Sequence, residues 1–283
     1  EMSVDLGDGV TMKLVRVPAG EFVMGDAGGY PDERPLTRVA VAKSFWLGAF
    51  EVTNEQFRRF DATFDCRYYA KLHVRRDDRG LPLDGPTQPA VRVSWTQAMS
   101  FCRWLSARTH LTFSLPTEAQ WEYACRAGSA APLFYGGTEA DFSRWANMGD
   151  VSYTAKVITG GVEHLDPAGR ALCETRFDDK SPVTGPVGSY QPNAWGLHDM
   201  HGNASEWTRS TYRPYPYRDE DGRNDPAAGG RKVARGGSFF DRPKRFRRAL
   251  RLDYPPRQRV FNVGFRVVCE DGRNEKARTA GKD

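Results

Sequence analysis

The sequence predicts a single α+β domain of low regular secondary-structure content. Three observations carry that prediction. Short strand-like runs gather at both ends, two amphipathic helical patterns lie nearer the middle, and long irregular stretches fill the rest. With 28 Gly, 18 Pro, 7 Trp and 11 Tyr in 283 residues, the composition describes many turns pinned by aromatics, not a helical bundle. The content of 39% hydrophobic and 27% charged residues lies near globular averages and argues against wholesale disorder.

The first 50 or so residues read as strands at Met12–Val17, Glu21–Met24, Arg38–Ala42 and Phe45–Gly48, separated by Gly-rich turn signals. Thr53 caps a helix through Phe60. Residues 61–89 form a loop-rich excursion. Ser94 caps a second helix to about Thr109, with Ala98, Phe101, Cys102 and Leu105 on one face. Thr117 and Gln120 form a capping box for a third helix, which Gly128 ends. Residues 130–195 are mostly irregular, with an insertion at about 151–176. Gly264–Cys269 reads as a last strand, so the domain spans 1–270, and 271–283 is a polar tail. Coil of this length needs anchors such as metal ions, aromatics or a ligand.

No apolar run approaches the ~20 residues of a membrane-spanning helix. The chain starts at Glu1 without a leader-like run, so an export signal is either absent or removed, and the compartment stays open. The five cysteines (Cys66, Cys102, Cys125, Cys173 and Cys269) show no zinc-type spacing. Cys102 and Cys125 read as small buried apolar residues. Cys66 and Cys173 lie in polar stretches and could pair in an oxidising compartment.

The net charge of +5 is uneven. Residues 231–259 hold eleven Lys and Arg against two acids, +9, so the other 254 residues sum to −4. The blandest reading is that several of these arginines pair internally with that acidic remainder.

Seven ordered motifs identify the chain as resembling the formylglycine-generating enzyme, or sulfatase-modifying factor, family. They are Pro18–Gly25, Glu51–Asn54, Val93–Trp95 leading into Phe101–Leu105, Leu115–Ala124, Asn193–Trp207, Arg235–Ser238 and Asn262–Arg266. The resemblance runs from about residue 10 to 270. It implies one domain of little regular structure, distantly related to C-type lectins.

In that family two cysteines shortly after the Gly-Gly-Ser turn bind Cu(I), which requires soft thiolates. Counted from Arg235–Ser238, those positions hold Asp241 and Phe246, so no copper and no catalytic residue is expected here. The resemblance also implies structural calcium. The first site maps to Asp199, Gly202, Ala204 and Glu206, and the second to Asn147, Met148, Asp179 and Ser181. Hard oxygen donors in a Gly-containing turn suit Ca²⁺. The alternative is that Asp199 and Glu206 only cap local backbone. His198 and His201, three apart, either recruit a metal or flank a structural loop.

The stretch after Gly-Gly-Ser lines the family's substrate cleft. Here the expected lining is Phe239, Asp241, Arg242, Arg245, Phe246, Arg247 and Arg251. Arginines beside aromatics suit a peptide, protein or small anionic ligand. Nucleic acid is disfavoured by the −4 remainder and by the lack of a nucleic-acid motif. Three functions follow. The first is a ligand- or protein-binding accessory module using the cleft. The second is an oxidoreductase that uses another metal or a partner chain. The third is a diversity-generating variable binding protein.

Overall fold

The computed structural model describes residues 1–69, 79–157 and 173–270. In chain order its elements begin with β1 (Met2–Gly7), β2 (Val10–Val17), β3 (Gly20–Met24), β4 (Thr37–Val41) and β5 (Phe45–Gly48). Next come α1 (Asn54–Arg58), β6 (Tyr68–Tyr69), β7 (Leu81–Pro82), α2 (Trp95–Thr109), β8 (Phe113–Ser114), α3 (Glu118–Arg126) and α4 (Val151–Val157). The last are β9 (Ser205–Thr211), β10 (Lys232–Arg235), β11 (Leu252–Tyr254), β12 (Val263–Gly264) and β13 (Val268–Glu270). The strands at both ends and the short middle helices agree with the predicted class. Strand β1 has no counterpart in the sequence reading. None of the described helices is long and apolar enough to cross a membrane.

The three main helices start where their polar residues dictate. The side chains of Thr53, Ser94 and Thr117 each accept a hydrogen bond from the backbone N–H three positions on, and the Gln56, Gln97 and Gln120 side chains accept from the cap residues' own N–H groups. Helix α3 ends one residue earlier than expected. Ala127 takes the left-handed turn at φ 43 and donates to Tyr123 O, and Gly128 only follows it.

A five-stranded sheet has the order β1-β2-β5-β13-β8, and a four-stranded sheet the order β11-β10-β9-β12. The expected strand 264–269 is therefore two elements in two sheets. β12 runs parallel to β9, and β13 pairs with β5 and β8. The break has a chemical cause at Arg266, whose buried guanidinium is gripped between the sheets. Helix α2 lays Ala98, Phe101, Cys102 and Leu105 on the main core. There Phe101 stacks on Phe57 at 5.6 Å and meets Phe265 edge-on at 5.5 Å.

All five cysteines are free and buried, so Cys66 and Cys173 do not pair. Cys66 instead donates to Asn54 Oδ1 and Val91 O. The tail and most of the 151–176 insertion lie outside the described residues.

Candidate ligand cleft and calcium loops

Strand β10 ends at Arg235, and Gly236 and Gly237 follow with φ of 96° and 70°. A Cβ on Gly237 would sit 2.9 Å from Arg245 O, so only glycine lets the next segment fold back this tightly. The returning chain forms a small polar knot. Asp241 Oδ2 accepts from the Ser238 hydroxyl at 2.9 Å and its amide at 3.1 Å, and Asn262 Nδ2 donates to Ser238 Oγ at 2.7 Å. Burial lifts the Asp241 carboxyl above the ordinary carboxylate range, although the Ser238 hydrogen bonds and the charge of Arg245 pull it down.

This knot forms one wall of an open cavity of about 470 Å³. Phe240, Asp241 and Arg245 line it with Arg92, Leu252, Tyr254 and the run 258–262. Of the seven residues expected to line the cleft, Asp241 and Arg245 do so. Arg242 is exposed beside it. The other four point elsewhere. Phe239 is buried against Tyr69, Tyr153 and Phe261, and Phe246 fills a core with Leu133, Phe142, Ala146 and Met148. Arg247 forks onto Glu33 at 2.6 and 2.8 Å, and Arg251 forks onto Glu118.

Part of the basic segment is thus neutralised by acids elsewhere in the domain. Arg235 also pairs with Glu118 and Glu122, and Arg231 with Asp253. Arg92, which lines the cleft against the run 258–262, was missed because nothing in its local sequence marks it. It is held in a left-handed turn at φ 58, with its amide on Val260 O and its carbonyl accepting from Arg259 Nε at 2.8 Å.

The two residues that the resemblance maps to copper ligands do not fit copper. Asp241 offers a hard carboxylate engaged by Ser238, and Phe246 is fully buried. No cysteine lines the cleft, and burial pushes the Cys66 and Cys125 thiols up to about 12.

The 199–206 loop is built from left-handed residues: Asp199 at φ 57°, Gly202 at 82° and Asn203 at 57°. A Cβ on Gly202 would lie 2.2 Å from Asn147 O, so the glycine is required. Glu206 is taken up by Arg266, with Nε to Oε2 at 2.7 Å and Nη2 to Oε1 at 2.6 Å, while Trp121 Nε1 donates to Oε2 at 2.7 Å. Asp199 Oδ2 accepts from Gly188 N, but its buried Oδ1 has no partner. Oε2 of neighbouring Glu51 also lacks a donor, so these two carboxyls must share either a proton or a cation. Burial, then the charges of Asp199 and Glu206, push the Glu51 carboxyl well up.

At the second loop Asp179 Oδ2 accepts from Met148 N at 2.6 Å, and its Oδ1 accepts from Ser181 N. These bonds join Met148, Asp179 and Ser181 through backbone amides, and the buried Oδ1 of Asn147, next to Met148 in the chain, is unpartnered. Burial and nearby Asp150 push the Asp179 carboxyl up to about 8. Among the described residues no three His, Cys, Asp or Glu side chains form a metal set of their own. Any cation here depends on carbonyl oxygens as well. The orphaned side-chain oxygens and the surplus of carboxylates fit a hard divalent ion.

The histidines serve the backbone. His198 Nδ1 lies 2.8 Å from Tyr190 O, and His201 bonds Phe246 O through Nδ1 and accepts from Phe134 N through Nε2.

Comparison with known proteins places these features. The family described as sulfatase-modifying factor enzyme 1-like domain matches residues 8–271. The chain is 30% identical to a formylglycine-generating enzyme of Streptomyces coelicolor, over 91% of this chain and 89% of that one. It is 29% identical to the inactive C-alpha-formylglycine-generating enzyme 2 of Bos taurus, over 95% and 92%. Among solved structures, PvdO from Pseudomonas aeruginosa superposes with a TM-score of 0.68 at 27% identity, covering 95% of this chain and 98% of that one.

Proposed function

This chain belongs to the sulfatase-modifying factor enzyme 1-like family, and we propose that it is a member in which recognition replaces copper chemistry. It acts as an accessory module that takes a peptide, protein or small anionic ligand into the family's cleft. One observation carries the reading. At the first copper position Asp241 is a cleft-lining carboxylate tied to Ser238, and at the second Phe246 has joined the core. A relative with the name of an inactive enzyme supports the idea that this scaffold serves without that activity.

Structural calcium belongs to the same proposal. Asp199, Glu206 and the carbonyls of Gly202 and Ala204 would hold one ion. Asn147, Asp179 and the carbonyls of Met148 and Ser181 would hold the other. The ions would neutralise buried carboxylates and pin coil.

Nucleic acid is not the partner proposed, because Arg235, Arg247 and Arg251 spend their charge on internal acids. Free variation of the segment after Ser238 is disfavoured too, since Phe239, Phe246, Ala249, Leu250 and Arg251 are all buried in it.

The test is turnover. The purified protein, supplied with Cu(I), oxygen and a cysteine-containing peptide, is expected to make no aldehyde and consume no oxygen. Aldehyde formation would sink the proposal. Stoichiometric iron or copper in the purified chain would favour the oxidoreductase alternative.

A further inference from the structure

We infer that the cleft selects a peptide segment carrying an acidic side chain beside an apolar one, an inference that rests on the cleft being the binding site. Among the described residues the cleft holds uncompensated positive charge. Three guanidiniums, Arg92, Arg245 and Arg259, line the cavity with one carboxylate, Asp241. Arg92 Nη2 donates to Tyr68 O at 3.1 Å and Arg259 Nε to Arg92 O. Carbonyls satisfy these donors without neutralising them. Arg245 lies 3.6 Å from Asp241 Oδ1 and keeps 53% of its side chain exposed. Among the described residues the cavity thus carries a surplus of two positive charges, whereas Arg235, Arg247 and Arg251 are matched by buried acids.

The remaining lining specifies the rest of the ligand. Tyr254 lines the same wall, within electrostatic reach of Asp241 and Arg245. Its hydroxyl has no hydrogen-bond partner among the described residues and can donate to a carboxylate. Phe240 is 41% exposed at the cleft and packs edge-on to Phe261 at 5.4 Å. A lone small acid would leave that ring in water, whereas an apolar side chain next to the acid covers it. Asp241 on the same wall favours a singly charged carboxylate over a dianionic phosphate.

The experiment compares acetyl-Ala-Glu-Phe-Ala-amide with its Gln counterpart and its phosphoserine counterpart by calorimetry on the full chain. The Glu peptide is expected to bind about tenfold more tightly than the Gln peptide, with the advantage shrinking as salt rises. R245Q and Y254F alter partly exposed side chains, leave the fold intact and should each erode the Glu-over-Gln ratio. Equal binding of Glu and Gln peptides, lost in F240A, would overturn the acidic preference and leave the cleft as a binding site. Tighter phosphoserine binding would overturn the carboxylate assignment. Binding of none of the three would overturn the inference, while aldehyde production would strike at the underlying reading alone.

Discussion

Arg251 and Glu118 form a bidentate buried pair, with Nε to Oε1 at 2.6 Å and Nη2 to Oε2 at 3.0 Å. The pair ties the segment after the Gly-Gly turn to the start of helix α3. Its other donors go to the carbonyls of Asp32 and Arg213. R251A would strand part of the Glu118 charge in a dry site, at a cost of about 3–5 kcal/mol. Arg235 stays close to Glu118 and keeps the loss near the lower end. Thermal or urea unfolding of R251A checks this, and E118Q/R251A should lose less than the two single variants added together. Additive losses would mean that the pair is not coupled.

That same pair shows where sequence reasoning stops. The helix starts were legible because a cap and its partner lie three residues apart, as in Thr117 and Gln120. The Gly-Gly-Ser turn, Asp241 and the 199–206 loop were legible because the motifs keep their order along the chain. The destinations of the arginines were not. Arg247 reaches Glu33 across 214 positions and Arg251 reaches Glu118 across 133. A run of like charge gives no sign of partners so distant. Arg92 was invisible as a site residue because its partners lie near residue 260, and Glu51, although it opens a motif, gave no sign that it faces Asp199. The split of 264–269 was hidden because Arg266 sits inside an apolar run and serves two sheets at once.

The five thiols should be silent in the folded protein. Burial pushes Cys66 and Cys125 up to about 12 and raises Cys102 and Cys173, so these four carry almost no thiolate at pH 8, and Cys269 is shielded by its burial. A thiol-reactive chromophore should report negligible reaction in buffer and five equivalents in denaturant without reductant. Three equivalents in denaturant would reveal a disulfide.

Calcium removal should loosen the fold. Among the described residues Glu51, Asp199 and Glu206 share one guanidinium, Arg266, and Asp199 Oδ1 has no donor other than the neighbouring Glu51 carboxyl. A divalent ion at about a hundredfold its Kd would add ~2.7 kcal/mol. Chelation is therefore expected to lower Tm by about 5–10 °C, with recovery on adding calcium. D199A should lower Tm and blunt the response. An unchanged Tm in chelator would show that the loops hold no calcium.

Asp241 and Phe246, the two positions that the resemblance maps to copper ligands, should answer differently to mutation. Phe246 is fully buried among Leu133, Phe142, Ala146 and Met148, and its ring also packs near Gly237 and Gly202. F246A opens a cavity that this tightly turned backbone cannot close, at a cost of about 3–5 kcal/mol. Asp241 contributes hydrogen bonds from Ser238 but bears the penalty of a buried charge, which raises its pKa. D241N keeps one acceptor oxygen and removes the charge, so its stability should stay within about 1 kcal/mol of the parent. Because the folded-state pKa of Asp241 is raised, the residue adds stability below its unfolded pKa, and that stability is lost as pH rises through the folded value. D241N should therefore gain on the parent at neutral pH relative to pH 4. Urea melts at both pH values measure all of this. A D241N loss as large as that of F246A would mean that the carboxylate holds the fold and not only the cleft.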